Sequence, residues 1–518
     1  MTMATQYKTV DQIKQVGVVG AGTMGAGIAQ VASQAGLDVV LFDLNESVLE
    51  TAKANLKKSM DKLVSRGKFT DEQAQAICDR ITYASDISLM KNADLVVEAI
   101  VERLDIKQQL FQQLESICSN QTILATNTSS ISVTAIGSAL NDPARLAGLH
   151  FFNPAPIMKL VEVIHGLATD SKVIETLLEL SKRWGKVGVA AKSSPGFIVN
   201  RVARPFYAEG LRLAEEGATE PERIDLFLKE AGGFRMGPFE LTDLIGQDVN
   251  YAVTNSVFES YYFDPRFKPS LMQKELVDAG WLGRKSGRGF YQYPDGKQSV
   301  PNLEWDDIRF GGLFNISSAV VSPAIKSLID RIKARGIEIP QETEGGVGEI
   351  VFANGATLVL TDGRTTLERS LAEDNRNLIQ MDLAIDYTTF ESLALSTPPE
   401  MPEEVWTEVY AMFDFLGVKT RVVKDLPGLV VMRTVAMLIN EASDALHLGI
   451  ADVAGIDAAM QAGVNYPTGL LAWADKLGTS FVADVLDNIN LFYGDDRYRV
   501  SPALLQRAFI NAPFHQID

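Results

Sequence analysis

The hexapeptide Gly20-Ala21-Gly22-Thr23-Met24-Gly25 lies between an apolar run, Val16-Gly17-Val18-Val19, and a helical pattern, Ile28-Ala29-Gln30-Val31-Ala32. A second apolar run, Val39-Val40-Leu41-Phe42, ends in Asp43, 18 residues after the last glycine. Strand, glycine turn, helix and strand in this order make the opening unit of a doubly wound parallel sheet. The first glycine permits the tight turn, the second lets a pyrophosphate approach the backbone, and the third lets the helix pack closely on the sheet. The helix N-terminus offers free N–H groups and the positive end of its dipole to the phosphates. Asp43 is placed to accept ribose hydroxyls and to repel a 2′-phosphate. The turn therefore predicts NAD rather than NADP, held by Gly20, Gly22, Thr23, Met24, Gly25 and Asp43.

The rest of the chain bounds what surrounds that turn. Its 518 residues suffice for two to four domains with real cores, and 46% apolar against 22% charged residues describes a soluble globular protein. No window approaches the ~18 unbroken apolar residues of a membrane span. Met1 to Gln15 is polar and has no secretory core, so the expected location is cytoplasmic. Two cysteines, Cys78 and Cys118, speak against a disulfide framework or a cysteine metal cluster, and no metal site is expected. A net charge of −18 argues against nucleic-acid partners. One stretch runs against the trend: Glu46 to Thr70 carries six bases and three acids, a net of +3. It reads as a solvated helix face or as a landing site for a phosphorylated ligand.

Residues 14 to about 190 alternate apolar strands with helical patterns. Expected strands are Ala93–Ile100, Thr122–Thr126, Leu146–Phe152 and Lys159–Ile164; a polar helical stretch spans 46–80 and a helix starts at Leu104. Pro195-Gly196 marks a boundary, and from there to about 292 the pattern is mainly helical. A shift of 232 then superposes Pro195-Gly196 on Pro427-Gly428, Arg201 on Arg433, Glu209 on Glu441, Ile224-Asp225 on Ile456-Asp457, Gly237 on Gly469 and Asp243 on Asp475. An ungapped offset over some fifty residues signals duplication. The expected organisation is an α/β Rossmann-like domain over 14–193, a helical domain over 194–293, a degenerate α/β remnant over 300–425 and a second helical copy over 426–518. In the remnant, Gly348–Phe352, Ala356–Leu360 and Phe390–Leu395 are strand-like, and no intact glycine fingerprint recurs.

Chemistry concentrates on one of only four histidines. His150 stands alone in Ala147-Gly148-Leu149-His150-Phe151-Phe152, at the end of an expected strand, where open α/β sheets line their ligand crevice. Glu162, in Leu160-Val161-Glu162-Val163-Ile164, has apolar neighbours on both sides and needs a partner, because burying a lone carboxylate is too costly. Two strands joined by a short loop bring it to the imidazole. His150 then serves as general base near neutral pH, with Glu162 fixing its tautomer. The plainer alternative is a core histidine satisfied by backbone.

Asn127-Thr128-Ser129-Ser130, Gly148-Leu149-His150-Phe151-Phe152-Asn153-Pro154, Met158-Lys159-Leu160-Val161-Glu162-Val163-Ile164 and Pro195-Gly196-Phe197-Ile198-Val199-Asn200-Arg201 occur in order. Met236-Gly237-Pro238-Phe239-Glu240-Leu241 and Gly287-Arg288-Gly289-Phe290-Tyr291 follow. Over roughly 14–293 these motifs resemble the L-3-hydroxyacyl-CoA dehydrogenase family. With no enoyl-CoA hydratase module, the chain looks like a stand-alone dehydrogenase. Its repeated helical domain is similar to the branch associated with phenylacetate breakdown, where 3-hydroxyadipyl-CoA is the substrate; 3-hydroxybutyryl-CoA is the other candidate. The resemblance implies that His150 removes the C3 hydroxyl proton with Glu162 behind it, and that Ser129 and Asn200 bind the substrate near its reacting oxygens. It implies Asn153, Glu102 and Lys107 near the cofactor ribose and nicotinamide, Lys285 approaching the cofactor from the helical domain, and Ser59, Lys62 and Lys68 meeting coenzyme A. Plainer roles are a helix cap for Ser129, a cap or helix contact for Asn200 and a solvated loop charge for Lys285.

In the second copy Met432 stands for Asn200 and Ala394 for Glu162, and no histidine is near the place of His150, so that copy is expected to be catalytically silent. Relatives pair through their helical domains, so the extra copy is expected to fill a partner's place within one chain; homo-oligomerisation stays open. Two competing readings remain at this level. A sugar-nucleotide or β-hydroxyacid dehydrogenase shares the scaffold, but the former needs a nucleophilic cysteine that neither Cys78 nor Cys118 supplies. An NAD-binding structural or sensory protein without turnover has no use for Ser129, His150, Glu162 and Asn200.

Overall fold

The computed structural model describes residues 7–299, 301–305, 313–399 and 401–515. Residues 300, 306–312 and 400 of the expected remnant and the last three of the second helical copy lie outside them. The chain divides into two compact units, Met1–Arg201 with Gly449–Val464, and Val202–Leu448 with Asn465–Asp518.

The first unit is an eight-stranded sheet of β1 (Gln15–Val19), β2 (Asp38–Phe42), β3 (Ile81–Ala84), β4 (Leu95–Glu98), β5 (Ile123–Thr126), β6 (Leu146–Phe151), β7 (Leu160–His165) and β8 (Val187–Lys192). Their spatial order is β3-β2-β1-β4-β5-β6-β7-β8, the doubly wound arrangement with its switch between β1 and β4. β4 and β5 are buried along their whole length, as strands covered on both faces must be, which is why they read as unbroken apolar runs. All neighbours are parallel except β6 and β7. The helices are α1 (Thr23–Gln34), α2 (Glu46–Ser65), α3 (Asp71–Asp79), α4 (Leu104–Ile117), α5 (Val133–Gly137) and α6 (Ser171–Arg183). The stretch 46–80 is a helix pair: Leu49, Ala52, Leu56 and Met60 of α2 and Ala74 and Ile77 of α3 are buried in the apolar core of the unit.

One element of this unit comes from the far end of the chain. The helix Val453–Val464 packs on β7 and β8, and the Lys192 N–H donates to the Ile450 carbonyl at 2.9 Å. Gly463 lies so close to β7 that a Cβ there would stand 2.6 Å from Leu160 Cδ2.

The second unit holds a seven-stranded mixed sheet, β9 (Ile316–Val321), β10 (Gln341–Glu344), β11 (Glu349–Phe352), β12 (Thr357–Leu360), β13 (Leu378–Met381), β14 (Ser392–Ser396) and β15 (Lys419–Val422), in the order β10-β9-β11-β12-β13-β14-β15. The three strands expected from sequence are β11, β12 and β14; the other four had no counterpart there. Here the helix Pro221–Glu230 of the first copy packs against β14, and the Lys424 N–H donates to the Ala218 carbonyl at 3.1 Å. Lys424 and Ala218 are Lys192 and Ile450 with the 232-residue offset exchanged, so each sheet carries a helix from the other copy.

Around that sheet the two helical copies meet along the helices Arg204–Glu215 and Val431–His447. Arg433 is fully buried between them, its Nε 2.8 Å from Glu209 and its Nη1 3.0 Å from Glu216. No helix among the described residues is long and apolar enough to cross a membrane.

Candidate active site

β6 and β7 are antiparallel, with His150 directly opposite Glu162. The two side chains meet on one face: His150 Nδ1 lies 2.7 Å from Glu162 Oε2, both buried. The carboxylate takes the Nδ1 proton as a hydrogen bond, which leaves Nε2 with its lone pair free to accept another. Phe152 and Phe197 flank the ring, with centroids at 4.6 and 5.8 Å. Glu162 Oε1 accepts the N–H groups of Ile198 and Val199, each at 3.0 Å. The acid that burial made expensive is thus satisfied on both oxygens.

Asn200 follows directly on this anchored backbone and is half-buried. Ser129 is exposed in the loop after β5. It caps nothing: the cap of α5 is Ser132, whose side chain accepts from the Ala135 N–H. The loop is held by Glu102, whose Oε1 accepts from the Thr128 hydroxyl at 2.6 Å, the Ser129 N–H at 3.0 Å and both groups of Ser130. Asn127, in the same loop, accepts the Phe151 N–H at 2.8 Å and so ties the loop to the strand carrying His150. Burial works against the ionisation of Glu102, but its bonds to Thr128, Lys107 and the Ser129 backbone outweigh it and hold its pKa below the usual carboxylate range.

Lys107 lies beneath the same loop. It is buried, 2.5 Å from Glu98 and 3.2 Å from Glu102, so its ammonium is taken up by two carboxylates and stands behind Glu102 rather than open at the surface. Glu98, fully buried, also accepts from the Thr126 hydroxyl at 2.7 Å and the Ile100 N–H at 2.7 Å. Glu98 escaped the sequence reading although it carries the signal that singled out Glu162, an acid closing the apolar run Leu95-Val96-Val97.

At the glycine turn the residues fit a dinucleotide. Gly20 has φ +100°, and a Cβ at Gly25 would collide with the Gly20 carbonyl. A Cβ at Gly22 would meet nothing within 4 Å, so the ground above the turn is open. No side chain caps α1, whose first N–H groups stay available for an anion. Asp43, just past β2, accepts the Ala21 N–H at 2.8 Å and the Asn45 N–H at 2.9 Å, which holds its carboxylate beside the turn.

Asn153 is exposed in the loop after β6. Ser59, half-buried, and Lys62, exposed, lie on α2, and Lys68 is exposed in the loop that follows. Lys285 is in the second unit, exposed and ion-paired there with Asp248.

The second copy answers the geometry of the first. Asp382, 232 residues after His150, donates its N–H to Ala394, the residue 232 after Glu162, at 3.1 Å. Its carboxylate accepts the N–H groups of Val430 at 3.0 Å and Val431 at 2.8 Å, the counterparts of Ile198 and Val199. The acid has changed strands, and the imidazole has gone.

Sequence comparison agrees with this geometry. Residues 15–194 match the model of the 3-hydroxyacyl-CoA dehydrogenase NAD binding domain. Residues 196–293 and 428–513 match that of the 3-hydroxyacyl-CoA dehydrogenase C-terminal domain. The chain belongs to the 3-hydroxyacyl-CoA dehydrogenase family. Residues 358–427 match a 3-hydroxybutyryl-CoA dehydrogenase reduced Rossmann-fold domain. A 3-hydroxyadipyl-CoA dehydrogenase of Escherichia coli is 42% identical over 97% of this chain and 99% of its own. The crystal structure of a 3-hydroxybutyryl-CoA dehydrogenase from Escherichia coli superposes with a TM-score of 0.87 at 40% identity, covering 96% of this chain and 99% of that one. An (S)-3-hydroxybutyryl-CoA dehydrogenase of Ralstonia eutropha matches 54% of this chain and 99% of its own at 39% identity, with a TM-score of 0.53. As a family member the chain is an oxidoreductase that uses NAD to oxidise a 3-hydroxyacyl-CoA to the 3-oxoacyl-CoA. A binding protein without turnover is not favoured.

Proposed function

We propose that His150 is the catalytic base of this oxidation and that 3-hydroxyadipyl-CoA is its substrate. The carrying observation is the buried His150–Glu162 pair on adjacent antiparallel strands. With Nδ1 committed to Glu162, Nε2 takes the C3 hydroxyl proton, and the carboxylate stabilises the imidazolium that forms. NAD, when bound, supplies the hydride acceptor for C3. Ser129 and Asn200 orient the substrate oxygens. Glu102 and Asn153 border the cofactor, Lys107 acts through Glu102, and Lys285 approaches from the helical domain. Gly20, Gly22, Thr23, Met24 and Gly25 seat the pyrophosphate, and Asp43 takes the adenosine ribose hydroxyls. Ser59, Lys62 and Lys68 meet the phosphates of coenzyme A. The dicarboxylic acyl group is supported by the 42% identity to the hydroxyadipyl-CoA enzyme across nearly the whole of both chains.

On this reading 14–193 binds NAD, 194–293 is the helical C-terminal domain, 300–425 is a degenerate α/β remnant, and 426–518 is a silent copy in the place of a partner chain. The exchange of helices between copies supports the last point, and Asp382 in place of His150 supports silence. A cytoplasmic location is supported by two cysteines that form no disulfide.

His150→Gln is expected to lower turnover on the order of 10²–10⁴-fold in the NADH-linked reduction of acetoacetyl-CoA, with NADH affinity retained. Near-normal turnover overturns the assignment.

A further inference from the structure

Lys186 stands between α6 and β8, and only 8% of its surface remains open. A buried ammonium ordinarily pairs with a carboxylate, because an uncompensated charge is costly to desolvate. No acid among the described residues pairs with Lys186. Burial, and then the nearby charge of Lys159, pull its pKa down. Its Nζ instead donates to two backbone carbonyls, that of Ala155 at 2.6 Å and that of Met158 at 2.8 Å. Both belong to the turn that joins β6 to β7 and carries Asn153. The turn closes on itself, the Ile157 and Met158 N–H groups donating to the Pro154 carbonyl at 2.9 and 3.0 Å. It also rests on α1: a Cβ at Gly27 would stand 3.2 Å from Ala155 Cβ and from Pro156 Cδ.

The second copy meets the same demand by another route. Val418, buried, stands 232 residues after Lys186, so the ammonium is gone. The counterparts of Ala155 and Met158 are Tyr387 and Phe390, in the turn between β13 and β14. Arg331, on the helix Lys326–Ala334, donates from Nη1 to those two carbonyls at 3.0 and 3.5 Å, and from Nη2 to the Leu416 carbonyl at 2.8 Å. Two converging carbonyls thus take a cation in each copy, drawn from different elements.

We propose that Lys186 is a positioning residue of the dehydrogenase: by clamping the β6–β7 turn it holds Asn153 in place to bind the nicotinamide cofactor. The proposal rests on the dehydrogenase reading above. Lys186 acts through the turn and not through the catalytic pair, because His150 and Glu162 are already fixed by the strand ladder and by each other. In the silent copy the same clamp serves no cofactor, which makes Arg331 the matched control.

The test is the NADH dissociation constant of the full-length chain by fluorescence titration, with kcat for acetoacetyl-CoA reduction followed across pH. The variants are Lys186→Met, Arg331→Met, Asn153→Ala and the double variant of Lys186→Met with Asn153→Ala. Lys186→Met should raise the NADH Kd about tenfold, the worth of one hydrogen bond, and leave the shape of the pH profile of kcat unchanged. Arg331→Met should lower the unfolding midpoint yet keep the Kd within about twofold. The double variant should bind NADH no more than about twofold more weakly than Asn153→Ala, since both changes break the same contact. Lys186→Gln keeps a donor on a shorter stem and is read in the same way if Lys186→Met fails to fold. A folded Lys186 variant with unchanged Kd overturns the proposal. So does Arg331→Met with an equal rise, or a double variant in which the two losses add; in each case the dehydrogenase reading stands. An unaltered chain that neither binds NADH nor reduces acetoacetyl-CoA defeats that reading itself.

Discussion

Glu162 carries two duties on two oxygens. One oxygen serves His150 and the other serves the Ile198 and Val199 N–H groups, and only an ionised carboxylate accepts from all three. Glu162→Gln must turn its NH2 toward one of these donors. It is expected to cost about 1–3 kcal/mol of stability in denaturant titration as well as turnover, so activity alone understates its role. Glu102 is a charge of a second kind, a loop anchor. Its pKa is lowered in the folded chain, so the anchoring contributes above the ordinary glutamate range, ~4.3, and is lost as pH falls through the lowered value. Amide protection at Ser129 and Ser130, corrected for intrinsic exchange, should therefore drop on acidification before that of β4 and β5 does. Glu102→Gln should show the low protection already at neutral pH. His150 and Glu162 were legible because a polar residue inside an apolar strand demands a partner, and alternation limits which partner it can have. The anchoring roles of Glu102 and Asn127 were not, because a polar residue in a polar loop gives no such signal; only the fold reveals what the loop is tied to.

Among the elements, the strand pairs β6–β7 and β13–β14 are one design used twice. The 232-residue offset, read from sequence over the helical domain, runs on without a gap through both strand pairs, since His150 answers to Asp382 and Glu162 to Ala394. Gly196 and Phe197 have φ +75° and +46°, and Gly428 and Leu429 have +73° and +52°, so the junction that feeds the helix is also retained. What both copies keep is a carboxylate bonded to the first N–H groups of that helix. Asp382→Asn should accordingly cost about 1–3 kcal/mol in unfolding while leaving dehydrogenase turnover within twofold. A stability loss without an activity loss distinguishes a structural anchor from a catalytic pair. β10, Gln341–Glu344, escaped the sequence because it carries no apolar residue, and β9, β13 and β15 because polar residues interrupt their apolar runs. Their strand conformation comes from neighbours that pair with them across the sheet.

For the whole molecule, duplication has placed two helical copies in one chain, and on the reading proposed above the second stands where a partner's would. Arg433 is the centre of the seam in the second unit, fully buried against Glu209 and bonded to Glu216, Tyr493 and Tyr498. Arg433→Ala leaves Glu209 buried without its cation and is expected to destabilise the unit by about 3–5 kcal/mol, measured by chemical denaturation. Restored stability in the double variant with Glu209→Gln would confirm that the loss is the stranded charge. Unchanged stability in Arg433→Ala would count against the view that the second copy holds a partner's place.

By itself the amino-acid sequence determined the dinucleotide turn, the histidine and its carboxylate, the duplication and the family, because each is written in residues close together or at a constant spacing. Only the tertiary structure decided which copy covers which sheet, that Lys107 is spent on Glu98 and Glu102, that Asp382 holds the place of His150, and that Lys186 and Arg331 clamp the same turn in the two copies. Those outcomes depend on burial and on partners distant along the chain, and a charged residue's environment is set by what packs around it rather than by what stands next to it in sequence.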